Sequence, residues 1–222
     1  MKILVLSNFS EKIAELNSVS SEIKQRYCNK HGYEFENLSI DYNTENHILF
    51  LQTVKERISK NDLVMTMGCD TCFTNFDIKI EDMAELGDPR AVISQECLGN
   101  NPINNDVMIW KNTPECISLI DKVIADRDEW CSHGWLWQNH VSIHCLDRLK
   151  VMPARHMNST YLPYRREGDE IFRIPCESSW QAGDWVIHAT GFPTKTRADI
   201  LYWAMQEAAN FSHVRRKITW KD

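Results

Sequence analysis

The fold of this chain is decided by the stretch NDLVMTMGCDTCFTN, which occupies residues 61–75. Its apolar run from Leu63 to Met67 is bounded by polar residues and predicts a buried strand. That strand would carry Asp70 just past its C-terminal end, where open α/β sheets place their ligand sites. Asp70 is therefore either a ligand of a metal or metal–phosphate pair, or a cap on the turn or helix that follows. Its position alone leaves both interpretations open.

Length and composition indicate a globular protein of ordinary composition. The chain has 222 residues, of which 43% are hydrophobic and 25% charged, with a formal net charge of −6. The negative balance argues against electrostatic binding of nucleic acid, and no apolar run approaches the roughly 18 residues of a membrane span. The N-terminal segment does not resemble a signal peptide, and the eight scattered cysteines are typical of reduced thiols. We therefore expect a soluble, cytoplasmic protein without a membrane span.

Alternating strand and helix patterns predict a single α/β domain. In the first third of the chain they predict strands at 2–7, 33–38 and 63–67 and helices at 19–31 and 47–59. Beyond residue 75 they predict a short helical piece around Met83 and Leu86, strands at 91–94, 106–110 and 183–188, helices at 113–130, 134–146 and 194–211, and loops at 99–105 and 151–179. This order implies a mostly parallel sheet with right-handed crossovers and flanking helices. We place the domain at residues 1–212 and a basic tail at 213–222.

Two predicted helices carry residues that are typical of helix ends. Gly32 follows the helix at 19–31 as a C-cap. Thr113 and Pro114 open the helix at 113–130 as N-cap and first helical residue. These residues mark one end of each helix.

A second candidate ligand, His188, lies at the end of the last predicted strand. Asp70 and His188 could hold a divalent ion whose remaining positions go to a diphosphate and water, as is usual for Mg²⁺ or Mn²⁺ with phosphate substrates. After His188, Gly191 permits close approach of the backbone, and Lys195 with the following helix N-terminus suits an anion. The alternative is a hydrogen-bonded histidine at a strand end and a solvated lysine.

Cys69 and Cys72 form a C-x-x-C, a spacing found in redox pairs and in zinc sites. A zinc site would need a second matched pair, and the other cysteines stand alone. Small buried thiols with apolar neighbours are the commoner explanation.

Two histidines four residues apart, His140 and His144, lie on one face of a predicted helix, with His133 nearby. This spacing can chelate zinc. Val141 stands where a metalloprotease would have its glutamate, and a polar helix face is the commoner interpretation.

Aromatic residues gather on both sides of Gln138. They are Trp130, Trp135, Trp137, Tyr161, Tyr164 and Trp180. Aromatic faces stack on sugar rings, and the same residues could equally fill the core.

Five segments, taken in order, resemble a known enzyme family. They are RYCNKHGY (26–33), the stretch 63–75, NNDVMIWKNTP (104–114), LWQN (136–139) and GDWVIHATG (183–191). Together they are similar to the segments of glycosyltransferases of the GT-A fold, most closely the family 34 type, the galactosyl- and mannosyltransferase group of fungi and plants. The stretch 63–75 resembles the strand with the D-x-D motif, and 183–191 resembles a terminal G-D-x-x-[IV]-H-x-x-G.

This resemblance implies a GT-A-type, Rossmann-like domain and a hexosyltransferase activity. A sugar would move from a UDP- or GDP-sugar to a hydroxyl of a glycan or glycoconjugate, with Mn²⁺ or Mg²⁺ bound and with retention of anomeric configuration. The implied roles are metal ligands for Asp70 and His188, donor contacts for Ser7, Asn8, Phe9, Gly191 and Lys195, a sugar pocket at Asn105 and Asp106, and a place near the anomeric carbon for Gln138. Asp70 would also bind the donor through the metal.

Three residues depart from the family pattern. Gly68 stands at the first aspartate of D-x-D, Asp106 replaces a common glycine, and Trp137 replaces an acidic residue before Gln138. The family's eukaryotic members carry an N-terminal membrane anchor, and we expect none in this chain. The resemblance then implies an enzyme of a cytosol, as in a microbe or virus, or one domain of a larger protein.

Two other functional classes are consistent with the sequence. One is a non-catalytic domain that binds a nucleotide-sugar or carbohydrate, since Gly68 could mark a decayed site. The other is a redox or zinc module built on Cys69 and Cys72. A nucleic-acid acceptor is a variant of the transferase hypothesis, and the acidic charge balance disfavours it.

Overall fold

The computed structural model of the protein describes residues 1–41, 43–96, 102–133, 136–161, 164–167, 170–173 and 179–211. Within these residues the strands are β1 (Ile3–Phe9), β2 (Glu34–Ser39), β3 (Leu63–Gly68), β4 (Thr71–Phe73), β5 (Ala91–Gln95), β6 (Ile103–Lys111), β7 (Leu149–Met152), β8 (Ser159–Thr160), β9 (Tyr164–Glu167), β10 (Glu170–Arg173) and β11 (Val186–His188). The helices are α1 (Ala14–His31), α2 (Thr44–Ile58), α3 (Ile80–Met83), α4 (Pro114–Ala125), α5 (Arg127–Ser132), α6 (Trp137–His144), α7 (Ala154–Met157) and α8 (Thr194–Phe211). The predicted tail at 213–222 and Trp135 lie outside the described residues.

A six-stranded sheet in the order β2-β1-β3-β6-β5-β7 forms the centre of the fold. β6 runs antiparallel to both of its neighbours, while the other neighbouring strands pair in parallel. Both faces of β1 are buried, since Leu4 and Leu6 belong to one core cluster and Ile3 and Val5 to another. Continuous apolar strands of this kind are typical of sheets covered on both sides. The predicted α/β fold with a mostly parallel central sheet is confirmed.

Helices cover the two faces of this sheet. The cluster with Leu4 and Leu6 also contains apolar residues of α2, α4, α5 and α6. The cluster with Ile3 and Val5 contains residues of α1, α3 and α7. Among the described helices, none is both long and apolar enough to cross a membrane.

A second, three-stranded sheet in the order β4-β11-β8 joins distant parts of the chain. β11 pairs antiparallel with β4, so that His188 stands opposite Thr71, and parallel with β8. The backbone N–H of Ala189 donates to the Asp70 carbonyl at 2.9 Å. This sheet therefore brings the end of β11 against the turn that follows β3.

Several predicted element ends are confirmed. Gly32 closes α1 with a left-handed φ of 74°, a conformation that favours glycine. The Thr113 side chain accepts from the Cys116 N–H, with Pro114 at the first position of α4. The closing helix, α8, spans the predicted residues 194–211.

Other predictions of local structure are wrong. The helix predicted at 113–130 divides at Asp126, where the backbone turns and Trp130 enters the core, donating from Nε1 to Val123 O at 3.0 Å. Residues 103–105 are not loop but part of β6, because the backbone pairs with β5 even though Asn104 and Asn105 are polar. The stretch 151–179, predicted as loop, contains α7, β8, β9 and β10.

Two elements are shorter than predicted, and the element that follows Asp70 is a strand that was not predicted. The described part of the helix predicted at 134–146 is α6, over Trp137–His144, and the strand predicted at 183–188 is β11, over Val186–His188. Asp70 lies in a turn between β3 and β4, so a strand rather than a helix follows it.

Asp184 anchors the second sheet to its surroundings. Its buried carboxylate accepts from Arg155 Nη2 at 2.8 Å, from Ser159 Oγ at 2.8 Å and from the Gln181 N–H at 2.9 Å. These partners belong to α7, β8 and the turn before β11. One buried carboxylate therefore joins the turn before β11 to α7 and β8, which lie about 25 residues earlier in the chain.

Replacing Asp184 by alanine is expected to lower the free energy of unfolding by about 3 kcal/mol, because a buried, hydrogen-bonded ion pair loses one partner. The melting temperature should fall by about 6–12 °C for a domain of this size. Asp121→Ala removes a surface ion pair with Lys55 and is the matched control, with an expected change below about 1 kcal/mol. Equal melting temperatures for the two variants would contradict the anchoring role.

Candidate active site

The two sheets bring three potential metal ligands together. Asp70 lies in the turn after β3, Asp106 on β6, and His188 is the last residue of β11. His188 Nε2 is 3.3 Å from Asp106 Oδ2 and 3.6 Å from Asp70 Oδ1. One ligand atom from each residue lies within 4.8 Å of the others, a group able to hold a metal ion.

The imidazole of His188 faces this group with an unsatisfied nitrogen. Its side chain is 2% exposed, and Nε2 has no hydrogen-bond partner despite the two nearby carboxylates. The other nitrogen, Nδ1, lies 3.5 Å from the amide nitrogen of Asn158, which also donates to Asn104 Oδ1 at 2.9 Å. Buried polar atoms are almost always paired, and an imidazole beside carboxylates is a common metal-binding set. These residues therefore fit a divalent cation.

The charges of the three residues depend strongly on one another. Burial acts to raise the pKa of Asp70, but His188 and Arg197 outweigh it and hold that pKa below its usual range. Burial and the Asp70 charge raise the pKa of the Asp106 carboxyl. Burial acts to lower the pKa of His188, but Asp70 and Asp106 raise it to about 9. At neutral pH without a metal, the imidazolium thus serves as the counterion of the carboxylates.

Gly68 and Asp106 occupy adjacent places on neighbouring strands. β3 pairs with β6 so that Met67 stands opposite Val107, and Gly68 and Asp106 come next along the two strands. A Cβ atom at Gly68 would lie 2.8 Å from Asp106 Oδ1 and 3.2 Å from Asp70 Oδ1. The space that an aspartate at position 68 would need is filled by the carboxylate of Asp106. Both departures from the family pattern therefore concern one place in the molecule.

Lys24 lies beneath the turn and was not predicted as a site residue. Its fully buried amine donates to Ser7 Oγ at 2.8 Å and to the Gly68 carbonyl at 2.7 Å. Burial lowers its pKa to about 8 despite the nearby Asp70 and Asp106 carboxylates. Helical spacing places Lys24 on the buried face of α1 with Ser20 and Tyr27, and this unusual position was the signal available in the sequence.

Arg197, on α8, is the second cation that the sequence analysis missed. Its Nη1 donates to Asp70 Oδ2 at 2.9 Å, and its Nε donates to the Phe192 carbonyl at 2.6 Å. Lys195, the predicted cation, is exposed on the first turn of the same helix. Gly191 lies just before the helix with a left-handed φ of 74°.

A cleft opens beside the three ligands. It is lined in part by Asn8, Gly68, Asn105, Asp106 and Trp137. Three of the predicted site residues, Asn8, Asn105 and Asp106, therefore border one space. Asp106 reaches both the cleft and His188, so it joins the ligand group as well as the predicted sugar pocket.

Three other predicted residues lie around the cleft without lining it. Ser7 is fully buried, and its hydroxyl donates to Met67 O at 3.1 Å while accepting from Lys24. Phe9 packs against the apolar cluster of α1 and α8. Gln138 accepts from the Asn105 N–H at 3.2 Å and donates to the Ile103 carbonyl at 2.9 Å. Ser7 and Gln138 thus use their polar groups to hold neighbouring backbone and side chains.

The C-x-x-C has the properties of buried thiols. Cys69 and Cys72 are buried and free in the part of the chain that the structure describes. Burial raises the pKa of each thiol to about 12. The reactive and metal-binding form of cysteine is the thiolate, which is not populated at neutral pH under these conditions.

Comparison with known proteins identifies the fold. No protein-family model and no curated protein sequence matches the chain. Among solved structures, it is similar to a glycosyltransferase involved in glycosylation of the major capsid of PBCV-1, with a TM-score of 0.68 and 18% identity over 91% of this chain and 100% of that one. It is also similar to the galactosyltransferase LgtC, with a TM-score of 0.61 and 12% identity over 93% and 95% of the two chains. A third similar structure is the glycosyltransferase GlyE of Streptococcus pneumoniae, with a TM-score of 0.56 and 13% identity over 96% of this chain and 64% of that one. The chain therefore has the GT-A glycosyltransferase fold.

Gly68→Ala is expected to destabilise the protein by about 1–3 kcal/mol, because its Cβ would overlap Asp106. Glycine-to-alanine changes within strands usually act in the other direction. The same change should cost clearly less in an Asp106→Ala background, where only the 3.2 Å approach to Asp70 Oδ1 remains, and urea unfolding of all four proteins measures the difference. Additive free energies across this cycle would contradict the close contact.

Proposed function

We propose that the protein is a metal-dependent glycosyltransferase that uses a nucleoside diphosphate sugar as donor. The proposal rests above all on the group formed by buried Asp70, buried His188 and half-buried Asp106, in which His188 Nε2 has no hydrogen-bond partner. This group lies beside a cleft at the C-terminal ends of β1 and β3, where open α/β sheets bind ligands. The GT-A fold is consistent with this chemistry, and the site residues carry the argument.

The three residues would hold Mn²⁺ or Mg²⁺. Two carboxylates and one imidazole offer the oxygen-rich ligand set that these ions take, with open positions left for phosphate oxygens and water. When bound, the ion supplies Lewis-acid stabilisation of the negative charge on the leaving diphosphate. Asp106 replaces, in this scheme, the carboxylate that Gly68 lacks.

The cations of α8 would bind the phosphates of the donor. Arg197 already lies against Asp70, and Lys195 is exposed on the first turn of the same helix. A helix N-terminus with a nearby guanidinium and ammonium group favours an anion. Gly191, just before the helix, allows the backbone to approach the diphosphate closely.

The cleft would hold the nucleoside and the sugar. Asn8 would contact the nucleoside of a UDP- or GDP-sugar, while Asn105 and Trp137 border the sugar. Gln138 would act through Asn105, since its amide is bonded to the β6 backbone. Ser7 would support the site indirectly by accepting a hydrogen bond from Lys24. Phe9 would support it by packing against the apolar cluster of α1 and α8. The acceptor would be a hydroxyl of a glycan or glycoconjugate.

Two finer features of the function are part of the proposal. We infer transfer with retention of configuration and a relationship to family 34, on the strength of the segments 104–114, 136–139 and 183–191. Asp106 is the acidic residue that lines the cleft, and its carboxylate lies 3.3 Å from His188. In this proposal it is a metal ligand and does not serve as a nucleophile. Transfer from the front face, with the departing phosphate accepting the acceptor's proton, is consistent with that arrangement.

Asp70→Asn and Asp106→Asn are each expected to lower metal-dependent hydrolysis of the donor at least 100-fold, because the leaving diphosphate loses its counterion. The assay screens UDP- and GDP-sugars with Mn²⁺ and follows release of the nucleoside diphosphate. Asp121→Asn, on the exposed side of α4, should retain the rate of the unchanged protein. Nucleotide binding without turnover of any donor would instead indicate a non-catalytic binding domain and overturn the proposal.

Metal binding is expected to strengthen with pH up to about 9. His188 must lose its proton before Nε2 can bind an ion, and its raised pKa keeps it protonated at neutral pH. The affinity for Mn²⁺ should therefore rise by up to about tenfold per pH unit below pH 9 and then level off. Calorimetry in buffers of different ionisation enthalpy should detect about one proton released at pH 7. Binding that is independent of pH, without proton release, would exclude His188 as a ligand.

A further inference from the structure

A second group of metal-binding side chains lies on α5 and α6 and shares no residue with the active site. His140 and His144 are one turn apart on α6, and Glu129 faces them from α5. One ligand atom from each of the three residues lies within 4.8 Å of the others. His144 Nε2 is 3.7 Å from Glu129 Oε1, and the two imidazole rings have their centroids 4.8 Å apart. The carboxylate that Val141 does not supply thus comes from the neighbouring helix.

His140 has a buried ring nitrogen that is available to bind a ligand. Its side chain is 1% exposed, and its Nε2 lies 2.9 Å from Asp126 Oδ2. The other ring nitrogen, Nδ1, is buried and has no hydrogen-bond partner. A carboxylate that holds one nitrogen of an imidazole and leaves the other available is the usual support of a metal-binding histidine. A buried nitrogen left in this way is otherwise costly.

We propose that Glu129, His140 and His144 bind one zinc ion. Two imidazoles and one carboxylate are a zinc ligand set, with water in the fourth position of the tetrahedron. Bonds of about 2.0–2.1 Å require ligand atoms about 3.4 Å apart, so the ligands have to close in by roughly an ångström. Glu129 and His144 are exposed and can rotate to do so. The active-site group, with two carboxylates and one imidazole, differs in its preference for harder ions.

Zinc at this place would connect α5 to α6, the helix that carries a residue of the cleft lining. α6 carries Trp137, which lines the cleft, and Gln138, which is bonded to the β6 backbone. His140 and His144 lie on the same short helix, so an ion shared with Glu129 ties α6 to α5. The site would therefore stabilise the helix that supports the sugar side of the cleft without taking part in the reaction.

Zinc titration of the 222-residue chain tests this proposal. All proteins carry Asp70→Asn, which removes a ligand of the active-site group, and are first treated with a chelator. Calorimetry measures the zinc stoichiometry and affinity, and the visible spectrum of bound Co²⁺ reports tetrahedral coordination. His144→Gln and Glu129→Gln remove ligands that are exposed, so the fold is retained. Asp128→Asn, one residue from Glu129 and also exposed, is the matched control.

We expect one zinc ion per chain in the Asp70→Asn protein, with a higher melting temperature when the ion is bound. His144→Gln and Glu129→Gln should each weaken zinc binding at least tenfold and abolish the rise in melting temperature, while Asp128→Asn changes neither. Absence of zinc binding, losses below tenfold in both ligand variants, or an equal loss in Asp128→Asn would overturn the site. None of these readouts uses glycosyl transfer, so failure of the proposed function leaves the test intact.

Discussion

The burial of one imidazole between two carboxylates is the interaction around which this molecule is arranged. His188 reaches Asp70 and Asp106 because β11 pairs with β4 in a sheet separate from the central one. The Asp184 carboxylate holds that second sheet in place, and Asn158 meets the far nitrogen of the ring. A large part of the fold thus serves to bring a residue near the C-terminus to the end of β3.

Two carboxylates close together with little contact to solvent repel each other, and three nearby cations offset this unfavourable free energy. Lys24 lies below the turn, Arg197 lies against Asp70, and His188 itself carries a proton at neutral pH. Each buried charge is stabilised by opposite charges within hydrogen-bonding or short coulombic range, as low-dielectric surroundings require. A bound divalent ion would neutralise the two carboxylates in place of the imidazolium.

The sequence predicts the fold well where apolar runs are long. The buried strands, the caps at Gly32 and Thr113 and the closing helix all follow from local pattern. The start of β6 at residues 103–105 was missed because Asn104 and Asn105 are polar, so the side-chain pattern does not indicate a strand even though the backbone pairs with β5. The small strands failed for a similar reason, since two or three residues carry too little periodicity to be recognised.

The candidate site was only partly within reach of sequence reasoning. Asp70 and His188 could be paired because each ends an apolar strand, and the structure places them 3.6 Å apart. Arg197 and Lys24 contact the group through tertiary packing, which no spacing along the chain encodes. Glu129 likewise approaches His144 from another helix. The sequence motif at 140–144 therefore gives no indication that a carboxylate lies beside its two histidines.

The contact between Gly68 and Asp106 also restricts how such a site can change over generations. An aspartate gained first at position 68 meets the carboxylate already at position 106, whereas an aspartate lost first at position 106 leaves one carboxylate beside His188. Both single steps pass through an impaired intermediate, so the two positions are expected to exchange together or with a compensating change nearby. Positions 68 and 106 are far apart in sequence, but a side chain at position 68 and the carboxylate at position 106 compete for one place in the structure.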